Sequence, residues 1–267
     1  MHTLEARELT LGYGGAPIVT DLSLELPAGA VTALIGPNGC GKSTLLRGLS
    51  RLLRPAGGQV LLGGRDLQDF SARELARRLG LLPQAPITPG GITVGELVAL
   101  GRAPHQGWFS RSSTEDRRAV EAALEATGTS ALRERLVDEL SGGQRQRVWI
   151  AMALAQDTGV LLLDEPTTFL DLAHALEVLE VIRHLNREKG VTVVMVLHDL
   201  NLAARYAQHL VLMADGSVTS AGGAADVLTE AHLASSFGLR ARVVADPVTA
   251  TPMVVPIEPT PVHTEMT

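Results

Sequence analysis

The chain has 267 residues, a formal net charge of −6 and 45% hydrophobic residues, enough for one large α/β domain with a subdomain inserted. The acidic balance runs against nucleic-acid binding, and a single cysteine, Cys40, excludes an internal disulfide and fits a reducing compartment. The start, Met1 to Glu8, lacks the pattern of a signal peptide, and no apolar run reaches the roughly 18–20 residues that span a bilayer, so any membrane passage is expected from other chains.

Residues 4 to 35 read as strands. Leu9-Thr10-Leu11 and Leu22 to Leu26 alternate apolar and polar, as half-buried antiparallel strands do, with Gly14-Gly15 and Pro27-Ala28-Gly29 as turns. Val31 to Ile35 is an apolar run entering a glycine-rich loop. Leu45, Leu46, Leu49, Leu52 and Leu53 then predict a helix over 43–53, stopped by Pro55 to Gly58, and 59–63 reads as another strand.

Five Pro and Gly residues between 83 and 92 predict a hinge. Beyond it the pattern is helical over 94–100, 115–126 and 142–155, so a helical subdomain is expected over about 85–157. Val160 to Leu163 is a continuous apolar strand of the kind buried on both faces. Leu172 to Lys189 reads as an amphipathic helix stopped by Gly190, Val191 to Leu197 as a buried strand, and 209–214 with 217–221 as a hairpin around Asp215-Gly216. The main domain is thus expected to end at 245. The segment 246–267, with Pro247, Pro252, Pro256, Pro259 and Pro261, reads as an extended or partly disordered tail.

Gly36-Pro37-Asn38-Gly39-Cys40-Gly41-Lys42-Ser43 fits G-x-x-x-x-G-K-[ST], between a predicted strand and a predicted helix. Glycines let backbone N–H groups converge on phosphate oxygens, and the helix that follows points its positive end at them. Lys42 supplies a mobile charge for the outer phosphates, and Ser43 a hydroxyl for Mg2+. The chain has two lysines, Lys42 and Lys189, and one stands at this spot. A nucleotide with Mg2+ is therefore the expected ligand, held by Pro37 through Thr44.

Val160 to Leu163 runs into Asp164-Glu165-Pro166. Beside such a cradle, a strand-terminal Asp can hold Mg2+ and the next carboxylate can polarise an attacking water. Alone, the same string would be a solvated turn. Ser141-Gly142-Gly143-Gln144 opens an apolar helix and offers a second anion-binding helix start; in isolation it would be a capped helix.

The string Leu140 to Arg147 resembles the signature of ABC ATPases, and the resemblance covers nearly the whole chain. It implies a P-loop α/β core with an antiparallel β subdomain and an inserted α-helical subdomain. Tyr13 then looks like the aromatic that stacks on adenine and Gln84 like the hinge glutamine that senses the γ-phosphate and Mg2+. Phe169-Leu170-Asp171 looks like the loop after the acidic strand and His198 like the switch histidine on the γ-phosphate. Glu165, His198, Lys42 and Gln84 become the catalytic candidates; Ser43, Gln84 and Asp164 the Mg2+ candidates. The resemblance also implies a head-to-tail dimer of two copies, in which Ser141, Gly142, Gly143, Gln144 and Asp171 complete the partner's ATP site.

The segment Leu97 to Phe109, with Thr167 to Leu172 and His198 to Ala203, is similar to ATPases of iron–siderophore importers, whose relatives handle haem and vitamin B12. Otherwise Gly101 to Phe109 is an exposed loop with His105 on its surface. The resemblance implies two transmembrane permease subunits, an extracytoplasmic binding protein, and two copies of this chain on the cytoplasmic face of the cell membrane. Another cargo (haem, vitamin B12 or a metal ion), a soluble non-transport ABC ATPase, or a P-loop kinase are the alternatives. The Ser141 to Gln144 string argues against the last.

Overall fold

The alternation near the N-terminus folds as a four-stranded antiparallel sheet in the computed structural model, which describes residues 3–107 and 113–259. Its strands are β1 (Leu4–Leu11), β2 (Val19–Leu26), β4 (Gly57–Leu62) and β5 (Arg65–Asp66), in the order β2-β1-β4-β5. Leu4 and Ala6 face inward on even positions, Leu9 and Leu11 on odd ones. A register shift between Ala6 and Leu9, with Glu8 at φ 49°, inserts the residue that changes the parity.

A second sheet has six strands in the order β10-β9-β3-β8-β7-β6. Its members are β3 (Val31–Ile35), β6 (Leu79–Leu82), β7 (Val160–Leu163), β8 (Thr192–Val196), β9 (His209–Ala214) and β10 (Ser217–Gly222). All pair in parallel except β10, which returns antiparallel to β9. β3, β7 and β8 are buried along their whole length, the reason they read as unbroken apolar runs. One face, through Leu34, Leu162, Val194 and Val196, packs on the antiparallel sheet and on α1 (Lys42–Leu49). The other, through Ala33, Leu163 and Met195, packs on helices.

Between β6 and β7 lie α2's successors: α2 (Ala72–Ala76) precedes β6, and α3 (Val94–Leu100), α4 (Thr114–Ala126) and α5 (Gly142–Ala155) follow it. Thr93, Ser113 and Ser141 each close a capping box, which fixes where these three helices begin. A buried ion pair, Arg102 Nε to Asp116 Oδ1 at 2.9 Å, ties the end of α3 to α4, and Arg102 also donates to the Ala155 carbonyl at 2.9 Å. The segment just beyond is held from the other side by α2: Arg73 and Arg77 donate to the Pro104 carbonyl, and Arg73 also to that of Gln106. His105 is not a free surface residue, since its Nε2 lies 2.8 Å from the Gln156 carbonyl. Trp108 and Phe109 lie outside the described residues. After β7 come α6 (Leu172–Lys189), α7 (Leu200–Tyr206), α8 (Ala224–Val227) and α9 (Glu230–Phe237).

Two expectations need correction. The helix after the glycine-rich loop ends at Leu49 rather than Leu53, because Arg51 turns left-handed at φ 62° and leaves Leu52 exposed. The proline-rich stretch read as a tail supplies a strand: β12 (Pro252–Pro259) pairs antiparallel with β11 (Leu239–Ala245), so the boundary expected at 245/246 falls inside a hairpin. Asp246 makes its turn by accepting from the N–H groups of Val248 and Thr249. Strands tolerate proline where the missing N–H would face away from the ladder, and Pro252 and Pro256 alternate on one edge. Residues 260–267, Pro261 among them, lie outside the described part.

Candidate functional site

The glycine-rich loop joins β3 to α1 at the carboxyl end of the six-stranded sheet, where a parallel α/β sheet places its ligands. Gly36 adopts φ 147°, and a Cβ there would stand 2.2 Å from the Met213 carbonyl oxygen, so no other residue fits without moving β9. Gly41, at φ 104°, is the N-cap of α1 and leaves the first N–H groups of that helix open toward the loop. Lys42 folds back over the loop, its Nζ donating to the carbonyls of Gly36 and Pro37 at 2.8 Å each, with the Cys40 sulfur at 3.8 Å.

Ser43 Oγ donates to Asp164 Oδ1 at 2.9 Å, joining the start of α1 to the end of β7 across the intervening β8. Burial pushes the Asp164 carboxyl up. The Ser43 hydrogen bond opposes the rise and the Glu165 charge beside it adds to it. Two hard oxygen donors side by side suit Mg2+, which takes few protein ligands and completes its shell with phosphate oxygens and water. Among the described residues no group of three or more His, Cys, Asp or Glu could hold a metal unaided.

Glu165 is the meeting point of three segments. Its Oε2 accepts from Gln84 Nε2 at 2.6 Å and from Thr168 Oγ1 at 2.8 Å, and its Oε1 lies 2.7 Å from His198 Nε2. Burial pushes its carboxyl up, but the hydrogen bonds from His198 and Thr168 and the charges of His198 and Lys42 outweigh it, so its pKa falls below the ordinary value. The residue itself sits at φ 54°, a left-handed conformation that non-glycine residues adopt at a cost. Gln84, expected to sense γ-phosphate and Mg2+, here spends its amide on Glu165.

Ile18, Asn38, Gly39, Gly41, Lys42, Ser43, Thr44, Glu165 and His198 line an open cleft of about 260 Å3. Tyr13 is 56% exposed with its hydroxyl accepting from Arg47 at 3.0 Å, so its ring is available to a planar group. Ser141, Gly142, Gly143 and Gln144 are not among the residues lining that cleft. They open α5, where Ser141 Oγ accepts from the Gln144 N–H and Gln144 Oε1 from the Ser141 N–H. Asp171 caps α6 and sits with this second group: its Oδ1 is 2.7 Å from His174 Nδ1, and the His174 ring packs so closely on Gly143 that a Cβ there would be 2.7 Å away. The predicted residues therefore form two clusters, one around the cradle and one around the start of α5.

The sequence reading omitted three contributors. Thr168 bonds the carboxylate of Glu165, His174 joins Asp171 to Gly143, and Ile18 walls the cleft. Thr168 was the one with a signal, a hydroxyl three residues beyond Glu165.

The description "ABC transporter" belongs to the family model that matches residues 19–168. The chain is 53% identical over 254 residues to the ferric enterobactin transport ATP-binding protein of Escherichia coli (strain K12), covering 95% of this chain and 94% of that protein. It is 54% identical over 256 residues to the achromobactin transport ATP-binding protein of Dickeya dadantii (strain 3937), covering 96% and 95%. A solved structure described as an inward-facing metal-chelate type ABC transporter superposes with a TM-score of 0.83 at 29% identity, over 97% of this chain and 98% of that one.

Proposed function

This chain belongs to the ABC transporter family as an ATP-binding, ATP-hydrolysing subunit, and from that premise we propose that it powers uptake of an iron(III)–siderophore complex through partner permease subunits. The observation that carries the cargo is its end-to-end similarity to ATP-binding proteins for two siderophores, ferric enterobactin and achromobactin.

The geometry around Glu165 supports a hydrolytic role. An ionised carboxylate beside Lys42 and Ser43 can orient a water for in-line attack on the γ-phosphate and take its proton. Lys42, which caps two loop carbonyls here, would turn its ammonium to the outer phosphates. Ser43 and Asp164 would hold Mg2+, whose charge offsets that of the β- and γ-oxygens. His198, bonded to Glu165, would steady the transferring group, and Gln84 would exchange its bond to Glu165 for the γ-phosphate when the hinge moves.

The second cluster takes its meaning from a second copy of the chain. By helix geometry the N–H groups of Gly142 and Gly143 have no carbonyl partner within α5, which makes them donors for an anion. Ser141, Gly142, Gly143, Gln144 and Asp171 would close the cleft of the partner, and the partner's would close this one. Each ATP then bridges two subunits, and its hydrolysis releases them. The chain would act as a peripheral subunit on the cytoplasmic face, against its permease partners, with an extracytoplasmic binding protein delivering cargo; no helix among the described residues is long and apolar enough to cross a membrane.

Radioactive-iron uptake in cells lacking this chain tests the reading. Reintroducing the chain should restore uptake of ferric siderophores, and Lys42→Ala should not. Normal ferric-siderophore uptake without the chain, with haem uptake lost instead, would overturn the cargo and leave the ATPase role intact.

A further inference from the structure

The hairpin β11–β12 lies along α7, and one side chain joins the two. Val254 N donates to Asn201 Oδ1 at 2.7 Å, and Asn201 Nδ2 donates to the Val254 carbonyl at 3.2 Å. The carboxamide of Asn201 thus occupies the place that the backbone of a third strand would take. Val254 pairs in register with Val243, whose own N–H also faces away from the ladder, 3.4 Å from Glu230 Oε1. Alternation puts residues 252, 254 and 256 on the same outward edge, and two of these are proline. Within 252–256, Val254 therefore has the one N–H on that edge, and Asn201 takes it.

Asn201 is also in the first turn of α7. Asp199 Oδ1 accepts from the N–H groups of Asn201 and Leu202 at 2.8 and 2.9 Å, and the residue before Asp199 is His198. At the other end of the helix Arg205 Nε lies 3.5 Å from Asp246 Oδ2 in the hairpin turn. The hairpin holds α7 at both ends, while Val254 and Ala241 are buried in the core cluster shared with α7.

We infer that Asn201 is a positioning residue for ATP hydrolysis: by clamping the first turn of α7 to β12, it sets where His198 meets Glu165. The inference rests on the reading of His198 as a group acting at the γ-phosphate. It assigns the C-terminal hairpin a part in turnover, although no residue of the hairpin lines the cleft. The amide is specific because it mimics a peptide, one donor and one acceptor in a plane. Asp keeps only the acceptor for Val254 N–H, and Leu keeps neither. A catalytic group displaced by a fraction of an ångström loses rate while ATP affinity, set by the cradle, stays.

The test is steady-state ATPase of the full-length chain carrying Asn201→Leu, Asn201→Asp or Val254→Pro, with His198→Ala alongside. Val254→Pro removes the donor from the hairpin side without touching the ladder, so it decides the matter should Asn201→Leu fail to fold. Expected are a fall in kcat of about five- to twentyfold for Asn201→Leu and Val254→Pro, an unchanged KM for ATP, and partial recovery in Asn201→Asp. If His198→Ala is slow but both Asn201→Leu and Val254→Pro turn over like the wild type, the inference is wrong and the reading of His198 stands. If His198→Ala itself is near normal, that reading fails first. A loss of kcat matched by a rise in KM would make Asn201 a packing residue only.

Discussion

Exchanging the Glu165 carboxylate for the isosteric amide removes a base and little else. Glu165→Gln keeps the side-chain shape, and an amide oxygen can still accept from Gln84 and Thr168, which share one carboxylate oxygen in the wild type. The remaining position faces His198 Nε2, which can accept from an amide N–H in its neutral form. Loss of a positioned general base costs about 10²- to 10⁴-fold in rate, which is roughly 2.7–5.4 kcal/mol of barrier. Thr168→Ala removes one hydrogen bond and leaves the base, so about three- to tenfold is expected from a net hydrogen-bond contribution near 1 kcal/mol. The assay is phosphate release at saturating ATP and Mg2+, with nucleotide binding measured separately and dimer formation followed by light scattering. Glu165→Gln should bind ATP, accumulate as a dimer and barely turn over. Turnover within threefold of the wild type, or a larger loss in Thr168→Ala than in Glu165→Gln, would refute the assignment of the base.

Asp164 and Glu165 should separate in acid. Burial raises the Asp164 carboxyl above its unfolded value, so its ionisation destabilises the nucleotide-free fold at neutral pH, and this cost is relieved as pH falls through the folded pKa. Asp164→Asn should therefore raise the thermal midpoint without ATP while abolishing Mg2+-dependent hydrolysis; a lower midpoint would count against burial as the cause. Arg102→Ala leaves the Asp116 carboxylate buried without its counter-charge and should cost about 3–5 kcal/mol, with Arg102→Met plus Asp116→Asn, which keeps an acceptor for the Ser113 N–H, recovering part of it in a denaturant titration. The Asp116 carboxyl is held low, first by the Ser113 N–H, so its contribution is present above the ordinary carboxylate pKa and disappears as pH drops through the lowered one. Cys40 is buried in the phosphate loop with Lys42 beside its sulfur, so a maleimide should inhibit slowly, prebound ATP should protect, and Cys40→Ser should be insensitive. Inhibition that survives Cys40→Ser would place the sensitive group elsewhere.

What the sequence displayed best were features whose cause is local. α3, α5 and α6 begin and end where their caps say, at Thr93, at Ser141 and at Gly190 in its left-handed turn. The cradle was legible because its whole chemistry is contiguous, and the acidic strand because burial on both faces removes every polar residue until Asp164. Features set by distant partners were not. Nothing local announces that Gln84 will bond a carboxylate 81 residues away, or that Arg73 and Arg77 will reach the Pro104 carbonyl. The prolines of β12 misled because their ladder partner lies in β11, and proline is a breaker only where an N–H is needed. Tyr13, Gln84 and His198 carried no signal of their own and entered through a family resemblance.

The division of the site into two clusters follows from where helix starts can be placed in one chain. The charge of a triphosphate is offset more fully when positive ends meet it from more than one side, and a parallel sheet offers its loops at one edge only. The cradle at the carboxyl end of β3 supplies Lys42 and the open end of α1, all from one direction. The other helix start suited to an anion, at Gly142 and Gly143, belongs to a helix inserted between β6 and β7, and the His174 ring packed on Gly143 ties it to α6. Bending it over the chain's own cleft would require breaking that contact and the Asp171–His174 bond behind it. On the proposed reading, a second copy would bring the same surface up without breaking either. On that reading, dimerisation thus brings an anion-binding helix start to a cleft that the chain's own Gly142 and Gly143 do not line.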